Sequence, residues 1–172
     1  IRSPSDSRLP SALYFRSKND YVIGEKALKL ADATNIEPIV SFKSHLNENH
    51  FRYNVVCEDG SSFKLSAKKA TTYFLSKIIN SVQDRVIKVF GAADGYIEKA
   101  IITVPAKFSP ASKEEIQDAA IAAGLSDVEL KFEPTAAAAA AYQALEEIKP
   151  VTTMLVYDFG GGTFDISVMQ AT

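Results

Sequence analysis

The spacing of apolar positions along this chain shifts between near-alternation and a helical period, and the shifts mark its elements. Residues 10–15 (PSALYF) have strand character, residues 21–24 suit a second short strand, and residues 25–33 have helical composition. Residues 36–42 are apolar and β-branched but broken by Pro38, and residues 45–50 are polar and loop-like. Two alternating runs, 51–57 and 62–65, flank Asp59-Gly60, a dipeptide that favours a tight hairpin turn.

Ser66 predicts the N-cap of a long helix ending near Phe90, with Gly91 just past it. Phe74, Leu75, Ile78, Ile79, Val82, Val86 and Val89 recur at a spacing that predicts one buried face. Residues 99–104 (KAIITV) are almost unbroken apolar, which predicts a strand covered on both faces and ended by Pro105. Ser112 with Glu115 makes a capping-box pattern for the next helix, and Gly124 suits its end. Residues 127–132 predict another strand. Pro134 suits a helix's first position, residues 135–148 follow as helix, and six consecutive alanines leave room for close packing. After Lys149-Pro150, residues 153–159 and 164–169 predict two strands on either side of a triple glycine. This order predicts an α/β protein with a mixed sheet and flanking helices.

Composition changes the picture little. The 172 residues carry a net charge of −2, with 47% hydrophobic and 23% charged residues, ordinary for a soluble globular domain. A pI near 5.7 and the lack of a basic block argue against nucleic acid as partner. Lys68-Lys69 reads as a solvated helix face. Cys57 is the only cysteine, so an internal disulfide is ruled out, which fits a reducing compartment. The polar start lacks the apolar core of a signal peptide, and the missing initiator Met implies a processed chain or a fragment. The longest apolar run, 136–142, is too short to span a membrane. His45 and His50, with no nearby cysteine, have poor metal-ligand spacing and read as solvated loop histidines. Neither a P-loop nor a kinase catalytic loop is present.

Chemistry concentrates at residues 158–165, DFGGGTFD. A triple glycine opens backbone conformations closed to other residues and lets N–H groups approach a ligand. Several N–H groups converging in one turn suit phosphate, and Thr163 adds a hydroxyl. Asp158 and Asp165 flank that turn; carboxylates there would hold hydrated Mg²⁺ or orient an attacking water. The competing reading is a glycine-rich turn with two solvated aspartates, which the apolar strands on both sides disfavour.

D-F-G-G-G-T-F-D-I-S resembles the second phosphate loop of the DnaK-type seventy-kilodalton heat-shock chaperones, within the actin-like ATPase superfamily (ribonuclease H-like fold). Ile102-Thr103-Val104-Pro105-Ala106 is similar to the family's strand ending in V-P-A, and Glu133-Pro134-Thr135-Ala136-Ala137-Ala138 to its E-P-T-A-A-A signature. The likeness is collinear over nearly the whole chain and strongest from Ile101 to Val168. It implies an incomplete nucleotide-binding domain: 1–98 in the upper first lobe, 99–150 in its lower part, and 151–172 as the hairpin opening the second lobe.

The resemblance also implies roles. Lys43, Glu133, Asp158 and Asp165 would be catalytic, with Glu133 and the aspartates ordering Mg²⁺ and its waters. Gly160, Gly161, Gly162 and Thr163 would hold the β- and γ-phosphates of ATP or ADP. Lys43 is otherwise an ordinary surface lysine, and Pro105, which resembles the family's interdomain relay proline, is otherwise a strand stop. Unfolded polypeptides, J-domain co-chaperones and nucleotide-exchange factors would be partners, with no nucleic acid and no membrane, in the cytoplasm or an organelle. The alternative is a non-catalytic relative serving as a binding or regulatory module.

Some features depart from the family pattern. Phe132 replaces its usual asparagine and Lys107 its usual aromatic. The first phosphate loop, D-x-G-T-T, is expected upstream of Ile1, and the rest of the second lobe beyond Thr172. One hairpin is half of a two-sided clamp, so the 172 residues alone are expected to bind ATP weakly or not at all. The hairpin is expected to fold back or to pair with another copy.

Overall fold

The computed structural model describes residues 9–91, 97, 99–143, 152–159 and 164–171. β1 (Ala12–Ser17) lies between β2 (Asp20–Ile23) and β3 (Ile39–Val40) in an antiparallel sheet. Consecutive strand residues point to opposite faces, and both faces of β1 are covered. Leu13 and Phe15 join a cluster with Phe42, Val55, Leu65 and Phe74. Ala12 and Tyr14 pack on Ala27 and Ala31 of α1 (Glu25–Thr34). The broken apolar run 36–42 yields only the two residues of β3, followed by a single 3-10 turn, Phe42–His45.

The Asp59-Gly60 hairpin forms as expected between β4 (Tyr53–Val56) and β5 (Ser62–Leu65), with Gly60 at φ 83. Ser66 caps α2 (Ala67–Phe90), its Oγ accepting the Lys69 N–H at 3.2 Å. The expected buried face holds only for the first half of α2. Phe74 is buried, whereas Val82 and Val89 are exposed. A 24-residue helix is about 36 Å long at 1.5 Å per residue and outruns the clusters beside it. Lys68 and Lys69 are not simply solvated: Lys68 Nζ sits 2.6 Å from Asp118, and Lys69 Nζ lies over the Tyr73 ring.

β6 (Lys99–Val104) and β7 (Asp127–Phe132) pair in parallel, from Lys99↔Asp127 to Val104↔Phe132, with α3 (Pro110–Ala122) as the crossover. Burial of β6 on both faces is not observed. Ala100, Ile102 and Val104 pack inward, while Lys99, Ile101 and Thr103 are exposed. β6 has one hydrogen-bonded neighbour among the described residues, and the apolar packing beneath it comes from α2 and α3 on one side.

The start of α3 also differs from expectation. Ser109, not Ser112, is the cap, accepting the Ser112 N–H at 3.1 Å, and Pro110 opens the helix. Proline's fixed φ and missing donor suit that first position, so the start moves forward and Glu115 is released from a capping role.

α4 (Glu133–Gln143) follows β7 directly, with Pro134 in its first turn and Ala138 buried. It packs against β7 and against the hairpin of β8 (Thr152–Phe159) and β9 (Phe164–Ala171). Close packing at the alanines is thus realised at Ala138; Ala137 and residues 139–141 face outward. Parallel and antiparallel pairing coexist in this α/β fold, distributed over four small sheets among the described residues. No described helix is long and apolar enough to cross a membrane.

Candidate functional site

Lys43 is carried by the 3-10 turn Phe42–His45, flanked by Ser41 at φ 56 and Asn47 at φ 69. The turn straddles two apolar clusters. Phe42 enters the one built on Leu13 and Phe15, and Leu46 enters another with Ala67, Val104 and Ile116. With both apolar neighbours buried, the lysine stem is left to reach across the surface between them.

There the Lys43 ammonium donates to Glu133 Oε1, a hydrogen-bonded ion pair joining residues 90 apart in the chain. The Lys43 side chain is 40% exposed and that of Glu133 21%. The Phe108 ring lies 5.8 Å from the ammonium. Glu133 is the first residue of α4, where free N–H groups and the helix dipole favour a carboxylate. Two of the residues singled out from the sequence therefore meet.

Asp158 and Asp165 are direct partners in the β8–β9 ladder, next to the Phe159–Phe164 pair. Gly160, Gly161, Gly162 and Thr163 lie outside the described residues. α4 packs against both strands, so the helix that begins at Glu133 and the hairpin are neighbours. Among the described residues no three of His, Cys, Asp and Glu group as a metal site.

Pro105 is buried at the end of β6, and its carbonyl accepts the Phe108 N–H at 3.1 Å. Lys107 beside it is exposed. Phe132 stands at the end of β7 with the Lys113 ammonium 4.4 Å from its ring centroid. These two residues, with Val104, Leu130, Lys131 and Thr135, line a pocket of ≈ 260 Å³. It opens at the carboxyl ends of the two parallel strands, the end at which open α/β sheets commonly take ligands.

The reading of His45 as a solvated histidine is corrected. Its ring stacks on Phe51 at 3.9 Å, and its Nδ1 is 3.0 Å from Glu48 Oε2. His50 is exposed. Tyr53 closes this cluster, donating its hydroxyl to the Val40 carbonyl at 3.0 Å. Burial, reinforced by the Glu48 carboxylate, pushes its phenol up to about 12. Sequence reasoning also missed Glu115, whose Oε2 accepts the Asn47 N–H at 2.6 Å. No local pattern marks that contact; the capping-box spacing pointed Glu115 elsewhere.

The family model described as Hsp70 protein matches residues 3–172. The chain is 34% identical over 172 residues to the chaperone protein DnaK of Mycoplasma mobile. That alignment covers 99% of this chain and 26% of the relative, so the chain spans about a quarter of the relative's length. The motifs at Val104-Pro105-Ala106, Glu133-Pro134-Thr135 and residues 158–165 all fall inside the matched region, and the chain belongs to the Hsp70 family.

Proposed function

We propose that the protein containing this chain binds ATP with Mg²⁺ and hydrolyses it to drive binding and release of unfolded polypeptides. The observation that carries this reading is the Lys43–Glu133 pair, a cation and a carboxylate joined at the N-terminus of α4, a helix that also packs against the strands carrying Asp158 and Asp165. Lys43 is exposed enough to exchange Glu133 for a phosphate oxygen. Its charge would stabilise negative charge developing on the transferred phosphoryl group. Glycine N–H groups at 160–162 and the Thr163 hydroxyl would grip the β- and γ-phosphates. Asp158 or Asp165 would orient the attacking water, so that the bond from γ-phosphorus to the bridging oxygen breaks and ADP and inorganic phosphate leave.

The donor set suits Mg²⁺. Glu133, Asp158 and Asp165 offer only hard carboxylate oxygens, and Glu133 Oε1 serves Lys43, leaving its second oxygen for a metal-bound water. When bound, the ion supplies charge neutralisation across the phosphates. Unfolded polypeptides would bind through a region outside this chain, with J-domain co-chaperones and nucleotide-exchange factors setting the cycle. A cytoplasmic location belongs to the same proposal.

The test is single-turnover ATP hydrolysis by the full-length protein, native and Asp165→Asn. Loss of a group that orients or deprotonates the nucleophile is expected to slow the step at least ~100-fold. A native rate in Asp165→Asn would overturn the assignment.

A further inference from the structure

The segment carrying Lys43 is anchored at two points by packing. Phe42 is 3% exposed and Leu46 5% exposed, each in a different cluster. Pairing of Ile39 and Val40 with β1 holds the residues just before the segment, and His45 within it stacks on Phe51. The segment's exit past Leu46, which bears on the aim of the Lys43 stem, takes a further contact from another layer of the fold.

Glu115 supplies it. Asn47 adopts a left-handed conformation at φ 69, and its N–H donates to Glu115 Oε2 at 2.6 Å, 68 residues away. A backbone donor on a carboxylate makes a short, charge-assisted bond. Glu115 is well placed to act as a fixed post. It stands on α3, whose own cap is complete at Ser109, whose Ile116 is buried beside Leu46, and whose Asp118 is tied to Lys68 of α2 at 2.6 Å. The carboxylate therefore links the rigid layer of α2 and α3 to the turn that presents Lys43.

We infer that Glu115 is a positioning residue for Lys43, acting through the Asn47 amide to hold the ammonium toward Glu133. Its consequence for hydrolysis rests on the ATPase reading above; its consequence for Lys43 geometry does not.

The experiment uses full-length protein with Glu115→Ala and Glu115→Gln, each also in a Lys43→Met background. Glu115→Ala is expected to slow single-turnover hydrolysis on the order of fivefold, the net worth of one such bond, with ATP affinity unchanged. Glu115→Gln keeps an oxygen that accepts the same N–H and is expected to recover most of the rate. With Lys43→Met, Glu115→Ala is expected to cost nothing further. A second readout needs no activity: the NMR shift of the Lys43 ε-methylene is expected to move in Glu115→Ala toward its value in Glu133→Gln. Equal losses in the Ala and Gln variants, a full loss in the Lys43→Met background, or an unmoved Lys43 resonance would each overturn the inference. Absent hydrolysis in the native protein, with the Lys43 resonance still responding, would remove the ATPase reading and leave the positioning role standing.

Discussion

The Lys43–Glu133 pair makes a quantitative prediction through a double-mutant cycle. Lys43→Met removes the cation, Glu133→Gln removes the charge but keeps an oxygen, and the double variant removes both. Loss of an electrostatic stabiliser in an active site costs roughly 100- to 1000-fold. Lys43→Met belongs at the low end, because its side chain is 40% exposed and water screens part of its charge. Glu133→Gln should cost less, about tenfold, nearly all of it through the lysine that Oε1 holds, because the amide keeps an acceptor oxygen for the metal-bound water assigned to the second carboxylate oxygen. Residues in direct contact couple by about 0.5–3 kcal/mol. A coupling of about 1.4 kcal/mol is tenfold, so the double variant should match Lys43→Met alone rather than the product of the two losses. The assay is single-turnover hydrolysis by full-length protein at physiological salt and again near 1 M. The coupling should shrink at high salt, where the screening length falls to about 3 Å. A double variant whose loss equals the product of the single losses would refute the reasoning: the pair would then be an incidental surface contact.

Other expectations follow from the packing and the exposed faces. Leu46→Ala should lower stability by about 2–4 kcal/mol, read by thermal or urea denaturation, because Leu46 is buried against Ala67, Val104 and Ile116; an effect below about 0.5 kcal/mol would show that the cluster is not packed as described. Tyr53 should ionise late. Its folded value, raised from 10.0 to about 12, exceeds that of the unfolded chain, so its stabilising contribution is complete below pH 10 and is lost as pH rises through about 12. Phenolate absorbance should show a late-titrating tyrosine that disappears in Tyr53→Phe, leaving the phenol of Tyr21, which burial also raises. The isolated 172-residue chain should self-associate through the β8–β9 face bearing Leu155, Tyr157, Ile166 and Val168, all exposed. Val168→Lys should shift its sedimentation toward monomer, and a monomeric native chain would contradict this. If the proposed ATP site is right, the same chain should show no micromolar ATP affinity by calorimetry, because residues 158–165 would form one side of a two-sided phosphate clamp.

Much of the fold was legible locally. The Asp59-Gly60 turn, the Ser66 cap and strand β7 each depend on a few adjacent residues, so neighbouring sequence is enough to specify them. Errors arose where local signals competed. Ser112 and Glu115 satisfied a capping-box pattern, yet Ser109 with Pro110 offers a start three residues earlier and prevails. Others arose where periodicity was taken to imply burial. α2 keeps its helical period to Phe90, but a period says only which positions share a face, not that a neighbour covers it. Strand β6 shows the same limit, with Ile101 exposed to 60%.

The candidate site divides in the same way. Sequence alone determined the chemistry available: the triple glycine, the two aspartates of one hairpin, a helix start at Pro134 one residue past Glu133, and, through the family resemblance, Glu133 itself and a lysine at position 43. The hairpin and the helix start are matters of residue type or short spacing. Only the tertiary structure decided that Lys43 reaches Glu133 across 90 residues and that Glu115 holds Asn47 across 68. Both contacts depend on where two apolar clusters pin the turn that carries Lys43, and such placement is set by the packed path of the whole chain rather than by the spacing of residues along it.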